Sequence, residues 1–383
     1  MITTNQIDNV LQNIYLDVIG AQIDKTTSPF FNMIEKSAQN VYQGKVKVPA
    51  RMGITGSVAC GSETGSFPAA DNSKIVNFEA ELCNIYGTMQ ITDKALRCSK
   101  NTPSDAINLF QNELESLVNS AKYNFNRMLM GNGTGELTRI TSGTGKILVV
   151  EDIHKLTAGM VVDIYNDINE IALGKATIMG IDISAKTAAF DVDVPTDIAN
   201  GYICVQGSKN NELLGVEYLF NNQVNNSLYG IDVNVYPFFK PTTTIESTLT
   251  CDAIQNLVDL IEEKSGSVVD FIICSYAARR AYLTTLASTR TNIDYLNLDG
   301  GFKALSYNGI PVYADKFVSN KTMYCFNTKD FVLAQLGDWD WITGVDGHIL
   351  VPAENTPDYV AHLAKYANLI CKRPYAQGKM NIN

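Results

Sequence analysis

The segment 102–130 constrains this chain more than any other. Ile107, Phe110, Leu114, Leu117, Val118, Ala121, Phe125, Met128 and Leu129 recur at the three-and-four spacing of a single helix face. Thr102 is placed to cap the first turn, Pro103 fits the first helical position and Asp105 stands in the first turn, while Gly131 and Gly133 end the element. At about 1.5 Å per residue such a helix runs roughly 40 Å. Its polar positions Asn108, Asn112, Glu115, Asn119 and Asn126 mark a solvated or subunit-facing side.

The chain around this helix changes texture several times. Residues 1–41 are polar and rich in Asn and Gln, with Val10, Leu11, Ile14, Tyr15, Val18 and Ile19 at helix-like spacing, as in an arm that finds its order on another surface. The alternating run at 45–51 and a second at 75–82 form a long hairpin whose tip is rich in Gly, Ser, Ala and Thr; such a unit has little core of its own and is expected to lie on a neighbouring subunit. From 137 to 210 five short β segments, at 146–150, 160–165, 176–181, 188–192 and 202–205, suggest a small barrel. A helix over 252–264, capped by Thr250 and ended by Gly266, then precedes a strand at 268–274 and a helix over 276–286.

Composition narrows the function classes. The 383 residues are enough for two or three packed units, and a formal net charge of −10 lacks the basic face that a dedicated nucleic-acid binder needs. Eight cysteines, at 60, 83, 98, 204, 251, 274, 325 and 371, form no Cys-x-x-Cys pair and read as reduced, mostly buried thiols. The first twenty residues lack the basic and apolar regions of a secretory signal, and no apolar run approaches membrane-spanning length.

Enzyme chemistry finds no footing. The alternate glycines Gly131, Gly133 and Gly135 close a helix, whereas a dinucleotide fingerprint opens one. Lys146 follows Gly143 and Gly145 as in a phosphate loop, but Ile147 stands where the metal-binding hydroxyl belongs. His154, His348 and His362 are too far apart for a zinc motif, and no nucleophile elbow occurs. No catalytic, cofactor-binding or metal-ligating residue is expected. Between 360 and 383, Lys365, Lys372, Arg373 and Lys379 occur without Asp or Glu; they face DNA or a neighbour's carboxylates, or form an ordinary solvated strand.

The order of elements resembles the major capsid proteins of tailed bacteriophages, the Hong Kong ninety-seven type fold. Residues 61–68 resemble the tip of its E-loop, 86–93 the strand before the spine helix, and 127–136 the Gly- and Asn-rich spine exit. Residues 270–276 resemble the axial-domain strand and its following helix, 308–313 the next turn and strand, and 366–376 the closing strand. The resemblance implies an α+β fold divided as an N-terminal arm (1–41), E-loop hairpin (42–83), peripheral domain with spine helix (84–136), inserted β-barrel (137–210), peripheral continuation (211–250), axial domain (251–325) and return to the peripheral domain (326–383). Two departures stand out. No long charged helical prodomain precedes the arm, which implies a separate scaffolding protein or a self-assembling shell; the barrel is extra, and either decorates the outer surface or stabilises contacts between capsomers.

The function implied is that of a virion shell subunit, made in the host cytoplasm, which forms pentamers and hexamers around double-stranded DNA held by weak non-specific contact. Its partners are then its own copies, the portal, and scaffolding or decoration proteins, with no cofactor and no membrane. Arm and hairpin would reach over adjacent subunits, with Phe30, Phe31, Phe67 and Phe78 as apolar anchors. Lys74 reads as a solvated lysine on a strand; some phage shells link a lysine of this region covalently to an asparagine of another subunit. The alternatives are an encapsulin-like cargo shell, and a β-rich binding or adhesion protein that uses the barrel.

Overall fold

A computed structural model describes residues 28–94, 103–288, 295–298 and 302–383, apart from 54–55, 64, 66, 68, 70, 73, 169, 196–197, 199, 222–226, 345–346 and 354–355. The chain forms two compact units, one built from 28–32, Cys83–Glu217 and Gly337–Ala367, the other from Met33–Leu82, Tyr218–Leu336 and Asn368–Asn383. Thr102 and Cys98, and most of the arm, lie outside the described residues, as do the side chains of Ile107 and Phe110.

In the first unit the expected long helix spans Pro103–Leu129. Leu114, Val118, Phe125, Met128 and Leu129 are buried along it, the stripe that the periodicity picks out. Its cover is a sheet in which Cys83–Thr92 runs antiparallel to the long strand Asp358–Cys371, with Met89 opposite Ala361 and Gly87 opposite Leu363. Gly87 lets helix and strand approach closely, since a Cβ there would stand 2.9 Å from Leu117 Cδ1. The outer face of this sheet is polar and paired across the strands: Thr88 Oγ1 lies 3.1 Å from His362 Nδ1, and Gln90 donates to Asp358 at 2.7 Å.

The helix leads into six strands that close into a barrel: Glu136–Thr144, Ile147–Val150, Val161–Tyr165, Ile171–Asp182, Thr187–Phe190 and Tyr202–Val205. Leu137, Ile140, Leu148, Val150, Val162, Ile164, Ile178 and Ile203 pack inside it, with every member of this apolar cluster drawn from the barrel segment itself. Closure leaves no strand edge unpaired, and register shifts at Ile140/Ser142 and Ala189/Phe190 give the bends that closure needs. The strand Glu136–Thr144 is missing from the sequence reading, which sees five, because Gly143 and Gly145 read as turn punctuation. Gly143 is instead a packing position: a Cβ would fall 2.1 Å from Leu148 Cδ2.

The second unit holds a seven-stranded sheet in the order Thr242–Glu246, Gly378–Ile382, Thr322–Phe326, Phe271–Cys274, Ile310–Ala314, Phe302–Tyr307, Tyr295–Leu298. The helices Cys251–Ser265 and Tyr276–Ser288 bring Ile254, Leu257, Ile261, Ala278 and Tyr282 onto Ile272, Cys274, Val312, Met323, Cys325 and Met380. Both expected stops are in place, with Thr250 accepting from Ala253 N at 3.1 Å and Gly266 ending the helix at φ +64. The strand Gly378–Ile382 lies between Thr242–Glu246 and Thr322–Phe326 in this sheet, parallel to the first and antiparallel to the second.

Gly378 meets the helix side chains closely: a Cβ would stand 2.5 Å from Ile261 Cδ1 and 2.9 Å from Leu257 Cδ1. Gly378→Val is expected to destabilise the second unit by about 1–3 kcal/mol through overpacking, read as a lowered urea midpoint.

Candidate assembly surfaces

Lys45–Arg51 pairs antiparallel with Ile75–Glu81 in the register Lys45↔Glu81 to Arg51↔Ile75. Strict alternation sorts the side chains. Outward, Lys45 meets Glu81 at 3.0 Å and Lys47 meets Glu79 at 2.8 Å; both pairs are exposed, so they favour register and solubility more than stability. The bond from Lys47 holds the Glu79 carboxyl below its ordinary value. Inward, Val46, Val48, Ala50, Phe78 and Ala80 are buried.

Phe78 fixes the base of the hairpin to its own body. Its ring centre lies 5.5 Å from that of Tyr229 and 5.2 Å from that of Phe239, and Glu79 N donates to Tyr229 O at 2.9 Å. The expectation that the whole hairpin lies on a neighbour is therefore corrected for its base, which has a core partner within the second unit. Beyond the ladder the ribbon continues through Met52 N to Lys74 O at 2.9 Å and through Ser57 Oγ, which donates to Asp71 O and accepts from Asp71 N, each at 3.0 Å. Past that clasp, Val58, Cys60 and Phe67 are exposed.

The five inter-subunit contact candidates, the four phenylalanines and Lys74, divide sharply. Phe67 is 96% exposed and Lys74 is exposed, both in the distal part of the hairpin. Phe30 and Phe78 are 0% exposed and Phe31 1%, so these three are buried within the chain itself and have no free surface to offer a neighbour. Phe31 sits in a short helix, Pro29–Met33, edge-on to Phe125 at 5.2 Å. In the second unit Glu35–Ser37 adds a parallel strand to Phe331–Gln335. Residues 29–33 and 35–37 thus have partners within the chain, and 1–27 fall outside the described residues.

The basic bias near the C-terminus is also resolved by internal partners. Lys365 is buried against Asp338 at 2.6 Å, and its ammonium lies 5.9 Å from the Phe125 ring and 5.7 Å from the Trp339 ring. Lys372 reaches Glu35 at 3.3 Å, Arg373 reaches Asp330 at 2.7 Å, and Lys379 lies over Tyr324. With Lys365 buried and each of the four cations beside an internal carboxylate or ring, a plain solvated strand does not describe these residues. Burial lifts the Asp330 carboxyl above its ordinary value, against the opposing pull of Arg373.

The described cysteines are free thiols. Burial pushes Cys204, Cys274 and Cys325 up to about 12, and Cys371 well above its ordinary value. Among the described residues no three of His, Cys, Asp and Glu gather where they could hold a metal ion, and no helix is long and apolar enough to cross a membrane.

No protein-family model and no curated protein matches the chain. Solved structures do. A chain of the cyanophage A-1(L) capsid asymmetric unit is similar with a TM-score of 0.54 at 12% identity, over 91% of this chain and 90% of that one. The chain has the Hong Kong ninety-seven type capsid fold. Two further structures align over similar lengths at lower scores: the capsid of the native GTA particle, with a TM-score of 0.48 at 9% identity over 93% and 90% of the two chains, and the holo-SrpI encapsulin complex from Synechococcus elongatus, with 0.45 at 10% over 93% and 88%.

Two measurements test how this capsid fold presents its side chains. Phe78→Ala should cost about 3–5 kcal/mol in denaturant unfolding, whereas Phe67→Ala should stay within about 0.5 kcal/mol of the parent; equal effects would contradict the anchored base and free tip. Iodoacetamide on the native chain should label Cys60 and spare Cys204, Cys274 and Cys325 from pH 7 to pH 9, because thiols pushed up to about 12 stay protonated throughout that range, and should spare Cys371, which burial also lifts well above its ordinary value. Peptide mapping before and after denaturation reads the difference.

Proposed function

We propose that the chain is the major capsid protein of a tailed bacteriophage, a structural subunit without catalytic activity. Its copies assemble as pentamers and hexamers into an icosahedral head that encloses double-stranded DNA. The observation that carries this reading is the hairpin: a ribbon tied at its base by Phe78 to Tyr229 and Phe239, with Val58 and Phe67 bare at its far end. Large exposed apolar side chains on an extended element are costly in a solitary molecule and useful in one that clasps copies of itself. The capsid fold over nine-tenths of the chain supports the same reading.

A thin shell under internal pressure benefits from contacts spread along extended segments, because each copy then holds several others through backbone hydrogen bonds and apolar anchors. Of the five contact candidates, Phe67 and Lys74 remain as inter-subunit contacts. The acidic balance of −10, with the C-terminal cations turned to internal partners, suits a wall that does not grip its DNA by counterion release. The barrel is an addition to the shared fold, and portal, scaffolding or decoration proteins are the further partners of such a subunit in the virion and in the host cytoplasm.

Deleting 52–72 should leave a folded, soluble subunit that fails to close shells. Electron microscopy and sedimentation of the parent chain should give megadalton particles or stable capsomers, and the deletion variant should give neither. Normal particles from the variant would refute the role of the hairpin, and a parent chain that stays a lone monomer under all assembly conditions would refute the shell reading.

A further inference from the structure

A barrel joined to its host by two passes of chain ordinarily swings, since domain motion is the default unless the connection is large or locked. Here the connection, made of residues 130–136 on the way out and 206–215 on the way back, is locked at three levels. At the helix end, Arg127 and Glu212 form a buried two-pronged pair, Nη1 to Oε2 at 2.8 Å and Nη2 to Oε1 at 2.6 Å. A guanidinium held this way cannot rotate without leaving two charges unpaired in a dry site.

Midway, the two passes are fastened to each other. Asn210 N donates to Thr134 O at 2.8 Å. Gly135, at φ +78, lies so close to the returning chain that a Cβ would stand 2.5 Å from Ser208 O; at Gly215 a Cβ would stand 2.3 Å from Met128 O. Only glycine permits backbones to meet at such distances.

At the barrel end, Lys209 lies 4.3 Å from the Tyr165 ring centre and 5.5 Å from that of Tyr202, two barrel rings stacked 5.1 Å apart. The buried carboxylate of Asp163 accepts from Gly207 N at 2.8 Å and, through its other oxygen, from Lys175 N at 3.1 Å, so the returning chain is gripped by the barrel as it leaves.

We infer that this neck is a rigid coupling that makes the long helix and the barrel move as one body, so that any displacement of the helix end is carried undamped to the barrel. The barrel has its own apolar cluster, drawn from its own segment. The neck sets orientation, and breaking it frees the barrel without melting either part.

The test uses the full chain with keto-bearing amino acids at the exposed positions 120 and 184, each carrying a spin label, which leaves every cysteine native. Pulsed electron spin resonance should give one narrow distance peak between helix and barrel. Gly135→Val and Glu212→Gln should each lose that narrow peak to a broad distribution, while deuterium exchange at Val162, Ile164 and Val118 stays slow. Gly145→Val, a positive-φ glycine with open space around it, should keep the peak. A broad peak in the parent chain would overturn the coupling, as would narrow peaks in both neck variants. Loss of exchange protection in helix and barrel together would overturn it too, because the neck would then be part of one folding core.

Discussion

Covering the apolar stripe of the long helix is the constraint on which the first unit depends. A helix of 27 residues with Leu114, Val118, Phe125 and Leu129 on one side cannot stand in water, and a short strand could not cover it. The chain supplies a 10-residue strand and a 14-residue strand, joined over ten consecutive pairs, and sets Gly87 where the helix comes nearest. The same helix then ends in a cluster of glycines that fixes where the barrel begins. Phe125 shows how much converges on it: Phe31 from the N-terminal side, Trp339 and Lys365 from the C-terminal side all reach this one ring.

Much of this was legible in the residues. Helix periodicity locates Pro103–Leu129, and cap chemistry locates Cys251–Ser265 to within a residue, because both signals are local and depend on neighbours in sequence. The hairpin was legible for the same reason, since its alternation is a property of each strand taken alone. What could not be read was where each apolar face finds its cover. Phe31 and Phe78 look like anchors for another molecule when set in a polar stretch, and only the path of the chain brings Phe31 to Phe125 and Phe78 to Tyr229 and Phe239. Glu136–Thr144 failed for a different reason: a glycine chosen for close packing against Leu148 carries the same letter as a glycine chosen for a turn.

Charge followed the same pattern. A count of cations near the C-terminus suggests a basic surface, yet the partners come from remote sequence: Asp338 for Lys365, Glu35 for Lys372, Asp330 for Arg373. Lys372 and Glu35 are exposed, whereas Lys365 and Asp330 are buried ends of their pairs; there desolvation offsets most of the attraction, but separating the partners would leave a buried charge alone. They act as specifications of how distant segments meet. Arg127 with Glu212 is the most complete of them, with both ends buried and both prongs satisfied.

The closed barrel has a consequence for crowding. An open sheet displayed on every copy of an abundant protein offers unpaired backbone to its neighbours, and closely set copies would then stitch together edge to edge. Six strands that complete a circle withhold that template. The outside of the barrel, where Ile168, Ile171 and Met179 are bare, can therefore vary in shape and polarity at high local concentration without seeding fibrous aggregates.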